Sequence, residues 1–327
     1  MIRAAIVGLG WWGRVLVDAV QGRDAPLRFT HAFVPNPDEV GSFAQQHGVQ
    51  LLPSFAAVLN HLAIDAVVLA TPHSLHVAQI VACAQAGKAV FSEKPLALNL
   101  IEAETAVRAC RQAGVVLGLG TDRRRLPAML RLKDLVAGGA LGDILHVEGQ
   151  YANDAMRSGL SGGWRNSQAE TPGAGLTGPG LHMLDTLIHL AGPVGEIRGQ
   201  LIQPRGDGVA IDALSLLLSF SGGMTGTMGC VRGVPNYFRA TVFGTRGWAE
   251  LRQFGVLEVC IAGQGTVVET YSPELVVGEL LDRFADAVDG RADFPVSTAS
   301  MLHTVAAFEA AVEALRRPGP VSVRSPD

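Results

Sequence analysis

Cysteine is scarce in this chain. Cys83, Cys110, Cys230 and Cys260 are the four among 327 residues, widely scattered and without a CxxC step. That spacing argues against a disulfide framework or a zinc site, and the apolar neighbours of each describe buried free thiols. Charge is sparse as well: 17% of residues are charged and the formal net charge is -4. A protein so composed has no basic field with which to hold nucleic acid. Long apolar runs are missing too. The most apolar uncharged stretch, 213–231, is interrupted by Ser221-Gly222-Gly223 and reads as two strands joined by a hairpin turn, whereas a membrane span needs about 20 predominantly apolar residues. Met1-Ile2-Arg3 enters the first strand directly, without an apolar signal segment or a small-residue cleavage site, so a cytoplasmic protein without a membrane partner is expected.

Glycine, by contrast, is plentiful at 39 residues, and three of them occupy an informative place. The strand-like run 2–7 leads straight into Gly8-Leu9-Gly10-Trp11-Trp12-Gly13 and then into a helical stretch. This is the glycine pattern of a dinucleotide-binding turn. Gly8 allows the tight turn, Gly10 lets the backbone approach a pyrophosphate, and Gly13 lets helix and strand pack closely. The helix N-terminus then offers unpaired N–H groups to phosphate. Trp12 occupies the same turn and is a candidate cofactor neighbour, although a tryptophan packed between strand and helix is equally ordinary.

The length exceeds what one hydrophobic core usually serves, so two domains are expected. Over residues 1–120, apolar runs near 2–7, 28–34, 65–70, 88–92 and 115–119 alternate with helical stretches, which predicts a parallel sheet covered on both faces. Asn99 and Glu102 have capping-box spacing, and Gly87 and Gly114 fall where helices should stop. One more helix is predicted from Pro127 to Gly138-Gly139. From residue 144 the pattern changes to neighbouring strand candidates near 144–152, 197–203, 211–220, 224–231, 238–243, 248–253, 256–262 and 266–271, with helices over 275–288 and 300–315. Residues 121–327 are therefore expected to form a second, α+β domain with a large, mostly antiparallel open sheet, one face packed on helices and the other on another subunit.

In a doubly wound sheet the ligand lies outside the carboxyl ends of the strands, where strand order reverses. Two strand ends fall there, Ala70-Thr71-Pro72-His73-Ser74-Leu75-His76 and Ser92-Glu93-Lys94-Pro95. Pro95 restricts Lys94 to extended geometry, which suits a proton donor held at a fixed position over the crevice. Burial or an adjacent oxidised nicotinamide would disfavour the ammonium charge and ease proton exchange.

Together the glycine turn, Thr71-Pro72 with His76 beyond, and Glu93-Lys94-Pro95 resemble the Gfo/Idh/MocA family of oxidoreductases. The resemblance continues through Arg123-Arg124, Leu141-Gly142-Asp143-Ile144, Trp164-Arg165 and Gly180-Leu181-His182-Met183-Leu184-Asp185. It implies an α/β protein with an N-terminal Rossmann domain, a C-terminal α/β domain carrying a large open sheet, bound NAD or NADP, and a homodimer or homotetramer. It also implies that Lys94 lies near the reacting carbon and His182 on the substrate side, and that Thr71, Pro72, His76, Glu93 and Arg165 join Gly8, Gly10, Gly13 and Asn36 at the cofactor.

On a helix over 181–191, His182, Asp185 and His189 share one face while Leu181, Leu184 and Ile188 share another. His182 could then take a proton from a hydroxyl, with Asp185 orienting its ring. A metal site from these three residues lacks other ligands, and none is expected. Arg123, Arg124, Arg125, Tyr151, Asn153, Arg157, Trp164 and Arg165 offer a cation-rich, aromatic mouth for a carboxylate or polyol; Arg124 and Trp164-Arg165 match family residues.

Two positions depart from the family pattern. At the end of the second strand, Phe33-Val34-Pro35-Asn36 puts Val34 where an NAD-selecting carboxylate usually stands, so NAD against NADP stays open, with Asn36 as the ribose contact. Four residues before His182, where family dehydrogenases carry an aspartate, this chain has Gly178. The expected function is hydride transfer between nicotinamide and a small hydroxylated substrate such as a sugar, polyol or cyclic diol. The alternatives are a redox-neutral glycosidase that retains its NAD and a nucleotide-binding regulatory protein without turnover.

Overall fold

The computed structural model describes residues 1–154, 163–203, 211–272 and 276–326. The chain divides into two compact units, Met1–Gly120 with Val276–Leu302 and Thr121–Leu275 with His303–Asp327.

In the first unit, strands β1 (Ile2–Val7), β2 (Leu27–Phe33), β3 (Gln50–Leu51), β4 (Ala66–Leu69), β5 (Ala89–Ser92) and β6 (Leu117–Leu119) form one sheet in the order β3-β2-β1-β4-β5-β6. Every pairing is parallel. β4 and β5 are buried at every position, as expected of strands covered on both faces. Order reverses between β1 and β4, which is the switch point of a Rossmann sheet. The crossover helices are α1 (Trp11–Asp18), α2 (Gly41–Gln46), α3 (Phe55–Asn60), α4 (His76–Gln85) and α5 (Leu100–Ala113). Asn99 caps α5 by accepting from the Glu102 amide at 3.0 Å, and Gly114 closes it in the left-handed region at φ 66°. Edge strand β3, two residues long, escapes a periodicity reading.

The helix Val277–Val288 belongs to this unit, a correction to the expectation that everything after residue 120 forms a second domain. Val277, Leu280, Leu281 and Phe284 recur at helical spacing and are buried in one cluster with Ile6, Leu16, Phe29 and Phe91. Phe91, Phe284 and Phe294 meet edge to face, with centroids 5.6–6.4 Å apart. That apolar stripe has its partner on the Rossmann sheet, which no local pattern reveals. The start of the expected helix, residue 275, lies outside the described residues.

In the second unit, strands β7 (Ile144–Asn153), β8 (Val194–Ile202), β9 (Asp212–Phe220), β10 (Thr225–Arg232), β11 (Tyr237–Gly244), β12 (Gly247–Arg252), β13 (Val256–Ile261), β14 (Gly265–Thr270) and β15 (Val321–Ser322) form one sheet in the order β14-β13-β12-β11-β7-β10-β9-β8-β15. All pairs are antiparallel except β7 with β10. β9 alternates strictly: Leu214, Leu216, Leu218 and Phe220 point inward, and Ser215, Leu217 and Ser219 outward. Helices α6 (Pro127–Ala137) and α7 (Pro179–Ala191) follow. α7 lies close over β7, where a Cβ on Gly149 would run into the Met183 side chain. Across the outward face, Glu148, Arg239, Glu250, Arg252 and Glu258 form a ladder of ion pairs from β7 to β13.

Cys83, Cys110 and Cys230 are buried free thiols, while Cys260 is half-buried. Burial pushes the Cys83 and Cys230 thiols up to about 12 and Cys110 to about 11. Among the described residues, no helix is long and apolar enough to cross a membrane.

Candidate active site

The glycine turn is built as its spacing requires. Gly8 sits at φ 96°, in the left-handed region that favours glycine, and a Cβ there would lie 2.6 Å from the Ala70 carbonyl oxygen. A Cβ on Gly13 would collide with the Gly8 carbonyl. Around Gly10, the N-cap of α1, a Cβ would meet nothing within 4 Å, and no side chain caps the helix. The turn thus leads into a helix N-terminus without a side-chain cap and leaves room beside Gly10, the arrangement that accepts a pyrophosphate.

Trp12 packs against the hydrophobic core, and Trp11 is 50% exposed. The expected neighbour of the cofactor is therefore turned inward, and its companion is the indole in solvent. Asn36 is exposed just beyond β2. Its amide Nδ2 donates to Glu39 Oε1 at 3.5 Å, so a carboxylate does stand beside the end of β2. It comes from the following turn rather than from the strand, which is why the strand sequence does not show it.

At the carboxyl edge of β4 and β5, the expected residues are held in place by one another. Thr71 Oγ1 donates to Gln79 Oε1 at 2.6 Å. The His76 ring is fully buried, with Nδ1 2.7 Å from the Pro95 carbonyl oxygen and Nε2 3.1 Å from that of Thr71. His76 thus joins the segments that follow the two strands. Expected among the cofactor contacts, His76 has no exposure and both ring nitrogens at backbone carbonyls, so it staples the two segments. Glu93 is buried as well; a Cβ on Gly120 would lie 2.6–2.7 Å from its carboxylate oxygens, and the Lys94 amide donates to Glu93 Oε2 at 3.3 Å. The Lys94-Pro95 peptide is cis. Lys94 is half-buried between buried Glu93 and buried Pro95, so the walls of its setting are fixed.

In the second unit, α7 carries His182 one turn in from Gly178 and Pro179. The loop before it is anchored by a buried pair: Arg232 donates to Asp212, whose Oδ1 accepts from the Gly175 amide at 3.2 Å. The turn Asp122–Arg125 supplies two ionic contacts to this region. Arg124 forks onto Asp185, with Nε 2.8 Å from Oδ2 and the terminal nitrogen 2.5 Å from Oδ1, and Thr304 Oγ1 donates to the same Oδ1 at 3.2 Å. Asp185 is 3% exposed. Arg124 and Asp185, expected as substrate contacts, form a buried, charge-compensated pair. The carboxylate that stands beside His182 is that of Asp122, whose Oδ1 lies 3.8 Å from His182 Nδ1.

Tyr151 lines the same side, its ring centroid 6.4 Å from that of His182 and 5.9 Å from that of Phe254. The Arg123 guanidinium sits 4.6 Å over Phe254. His189 faces different company. Burial above all, with Arg124 and Lys133 nearby, pushes its imidazole down to about 4. Lys133 Nζ donates to the His189 carbonyl at 2.7 Å. The three polar residues of one helix face thus go to separate partners, and among the described residues no group of three or more His, Cys, Asp or Glu is placed to hold a metal. Trp164 and Arg165 stack on each other, 4.1 Å from guanidinium carbon to ring centroid. Arg157 lies outside the described residues. Asp122, Glu39 and Phe254 escape the reading of the sequence; only Asp122 has a signal there, its position directly before Arg123-Arg124.

Comparison with known proteins agrees with this architecture. Residues 2–121 match the Gfo/Idh/MocA oxidoreductase family's NAD-binding Rossmann fold, and residues 129–250 match its C-terminal domain. The chain is 31% identical over 163 residues to scyllo-inositol 2-dehydrogenase (NADP(+)) of Bacillus subtilis, covering 50% of this chain and 45% of that protein. It is 27% identical over 210 residues to trans-1,2-dihydrobenzene-1,2-diol dehydrogenase of Oryctolagus cuniculus, covering 64% and 62%. The chain spans about half the length of the first curated relatives it matches. Levoglucosan dehydrogenase in complex with NADH and levoglucosan shares the fold, with a TM-score of 0.88, 22% identity and 99% of each chain covered. An oxidoreductase domain protein from Kribbella flavida does so at 0.87 and 21%, covering 99% of this chain and 100% of that one. With its six-stranded parallel sheet, its glycine turn and its nine-stranded second sheet, the chain belongs to the Gfo/Idh/MocA family of oxidoreductases and carries that family's NAD-binding Rossmann and C-terminal domains.

Proposed function

We propose that this protein is an NAD(P)-dependent dehydrogenase or reductase acting on a CH–OH group of a small polyhydroxylated or cyclic substrate, with Lys94 and His182 as its proton-handling residues. The observation that carries the reading is the carboxyl edge of the Rossmann sheet. The helix N-terminus at Gly10 has no side-chain cap and has room beside it, and Lys94 is the half-buried residue in an otherwise buried run at the end of β5. When bound there, a nicotinamide supplies hydride exchange with the substrate carbon. The chain's own work is to bind, orient and move the proton.

Gly8, Gly10 and Gly13 shape the phosphate turn, and Asn36 with Glu39 meets the ribose end. A carboxylate at that place repels a 2'-phosphate, which favours NAD(H) over NADP(H). Lys94, its backbone fixed by Glu93 and Pro95, donates a proton to the substrate oxygen as the ammonium or accepts one from it as the neutral amine. His182 is the second unit's proton-exchanging group. The relatives named for inositol, dihydrodiol and levoglucosan chemistry support a vicinal hydroxyl substrate.

The test is fluorescence titration with NADH and NADPH, followed by a spectrophotometric screen of inositols, anhydrosugars and cyclic diols. Tight binding with net nicotinamide absorbance change supports the reading. Conversion without net change indicates the redox-neutral glycosidase, and binding without conversion indicates a regulatory protein. Lys94→Ala is expected to lower turnover by about 10²- to 10⁴-fold while cofactor affinity stays within a few-fold; unchanged turnover would refute the role of Lys94.

A further inference from the structure

We infer that Asp122 is the positioning residue of His182: its carboxylate faces Nδ1–H as an acceptor, holds the proton on that nitrogen, and so leaves Nε2 as the ring atom that exchanges a proton with substrate. This rests on the reading of His182 as a proton-exchanging group.

Asp122 is 2% exposed. A carboxylate so buried is costly unless charges and donors compensate it. One oxygen, Oδ2, accepts from an Arg123 guanidinium nitrogen at 3.1 Å. The other, Oδ1, has no hydrogen-bond partner among the described residues and lies 3.8 Å from His182 Nδ1. That distance is an ion-pair distance, and catalytic hydrogen bonds are often long before ligand binds. Arg123 is itself held by its stack on Phe254, so the oxygen facing the histidine is set from behind.

The helix that carries His182 supplies no acid for the task. Asp185 gives its oxygens to Arg124 and Thr304. Gly178, one helical turn before His182, has no side chain, and a Cβ built there would meet nothing nearer than the Gly175 carbonyl oxygen at 4.0 Å. The carboxylate beside His182 arrives from a different element. Ionisable groups near the ring include Asp122, with Arg123 bound to it, from the turn before α6, and Tyr151 from β7; on the same helix Asp185 is paired with Arg124. In the resting state the Asp122 charge beside Nδ1 favours the tautomer with the proton on that nitrogen. When the substrate hydroxyl gives its proton to Nε2, the imidazolium is stabilised by the Asp122 charge, and the carboxylate stays ionised.

The open space at Gly178 supplies a rescue. Long-range ¹H–¹⁵N NMR of the full chain, with the His182 signals assigned by comparison with His182→Gln, reports tautomer and titration without cofactor or substrate. Wild-type protein is expected to show the Nδ1-protonated tautomer at alkaline pH. In Asp122→Asn the titration midpoint of His182 should fall by about one pH unit, and adding Gly178→Asp should restore at least half of that shift. An Nε2-protonated tautomer in the wild type, or an Asp122→Asn titration superimposable on it, overturns the proposal; the first of these needs no variant to fold. With an identified substrate, Asp122→Asn should lower kcat by about 10- to 100-fold with KM nearly unchanged. If Asp122→Asn turns over normally while Lys94→Ala does not, the positioning role fails and the dehydrogenase reading stands. If neither binding nor turnover of any cofactor is found, that reading fails and the NMR result alone decides the role of Asp122.

Discussion

His189 shows how a residue on a functional helix can be purely structural and still govern behaviour in solution. Its imidazole titrates at about 4 in the native protein, against about 6.5 in an unfolded chain. Between those values the unfolded state binds the extra proton, so stability is full above about pH 6.5 and declines as pH falls toward 4. The slope attributable to this one side chain is up to about 1.4 kcal/mol per pH unit. Its Nε2 is buried and has no hydrogen-bond partner among the described residues, so an apolar replacement loses little. Urea unfolding of His189→Leu at about pH 7 and about pH 5 should show a smaller loss of stability on acidification than wild type. An equal loss in both proteins would place the acid sensitivity elsewhere.

At the scale of elements, the chemistry depends on two strand ends being held in register with each other. β4 and β5 pair through four residues, Ala66 with Ala89 to Leu69 with Ser92, and beyond that ladder the backbone continues without strand pairing. His76 restores the connection by bridging Thr71 and Pro95. In either neutral tautomer one ring N–H serves one carbonyl, and the protonated ring serves both. His76→Leu keeps much of the volume and removes every donor, leaving buried carbonyl oxygens unsatisfied at a cost of about 2–3 kcal/mol. A fall in the urea midpoint together with weaker NADH binding is the expected result, because the segment carrying Lys94 loses its tie to β4. A lowered midpoint with unaltered NADH affinity would mean that the staple serves stability alone. The glycine turn is legible in the sequence because its constraint is local: backbone sterics at Gly8 and Gly13 act between the turn and its adjoining strand and helix. The His76 staple is not, since a histidine near a strand end looks the same in sequence whether its ring faces ligand or backbone.

For the whole molecule, the nine-stranded sheet raises the question of its uncovered face. Leu217, 58% exposed, and Val268 at the same level of exposure stand in one outward row with Thr227, Glu148, Thr241, Glu250 and Glu258. The ion pairs among these strands neutralise charge that would otherwise resist contact with a second copy. Association with another subunit, expected from the sequence, is tested at this face. Leu217→Lys should lower the mass seen by light scattering toward that of the monomer, with the melting temperature falling in a concentration-dependent way in wild type only. An unchanged mass would move the interface elsewhere or leave the chain a monomer.

By itself the sequence determined the alternation of strands and helices, the change to a mostly antiparallel sheet, the phosphate turn and the place of Lys94 at the end of β5. These are written in periodicity and in the backbone rules of glycine and proline, which act over a few residues. Only the tertiary structure decided which acid stands beside which basic side chain. Arg124 and Asp185 lie 61 positions apart, and Asp122 reaches His182 from a different element, whereas i and i+3 spacing on α7 favours Asp185. Buried charges must be matched across the fold, and that matching, together with the return of the helix Val277–Val288 to the Rossmann core, is settled by burial over distances that local pattern does not encode.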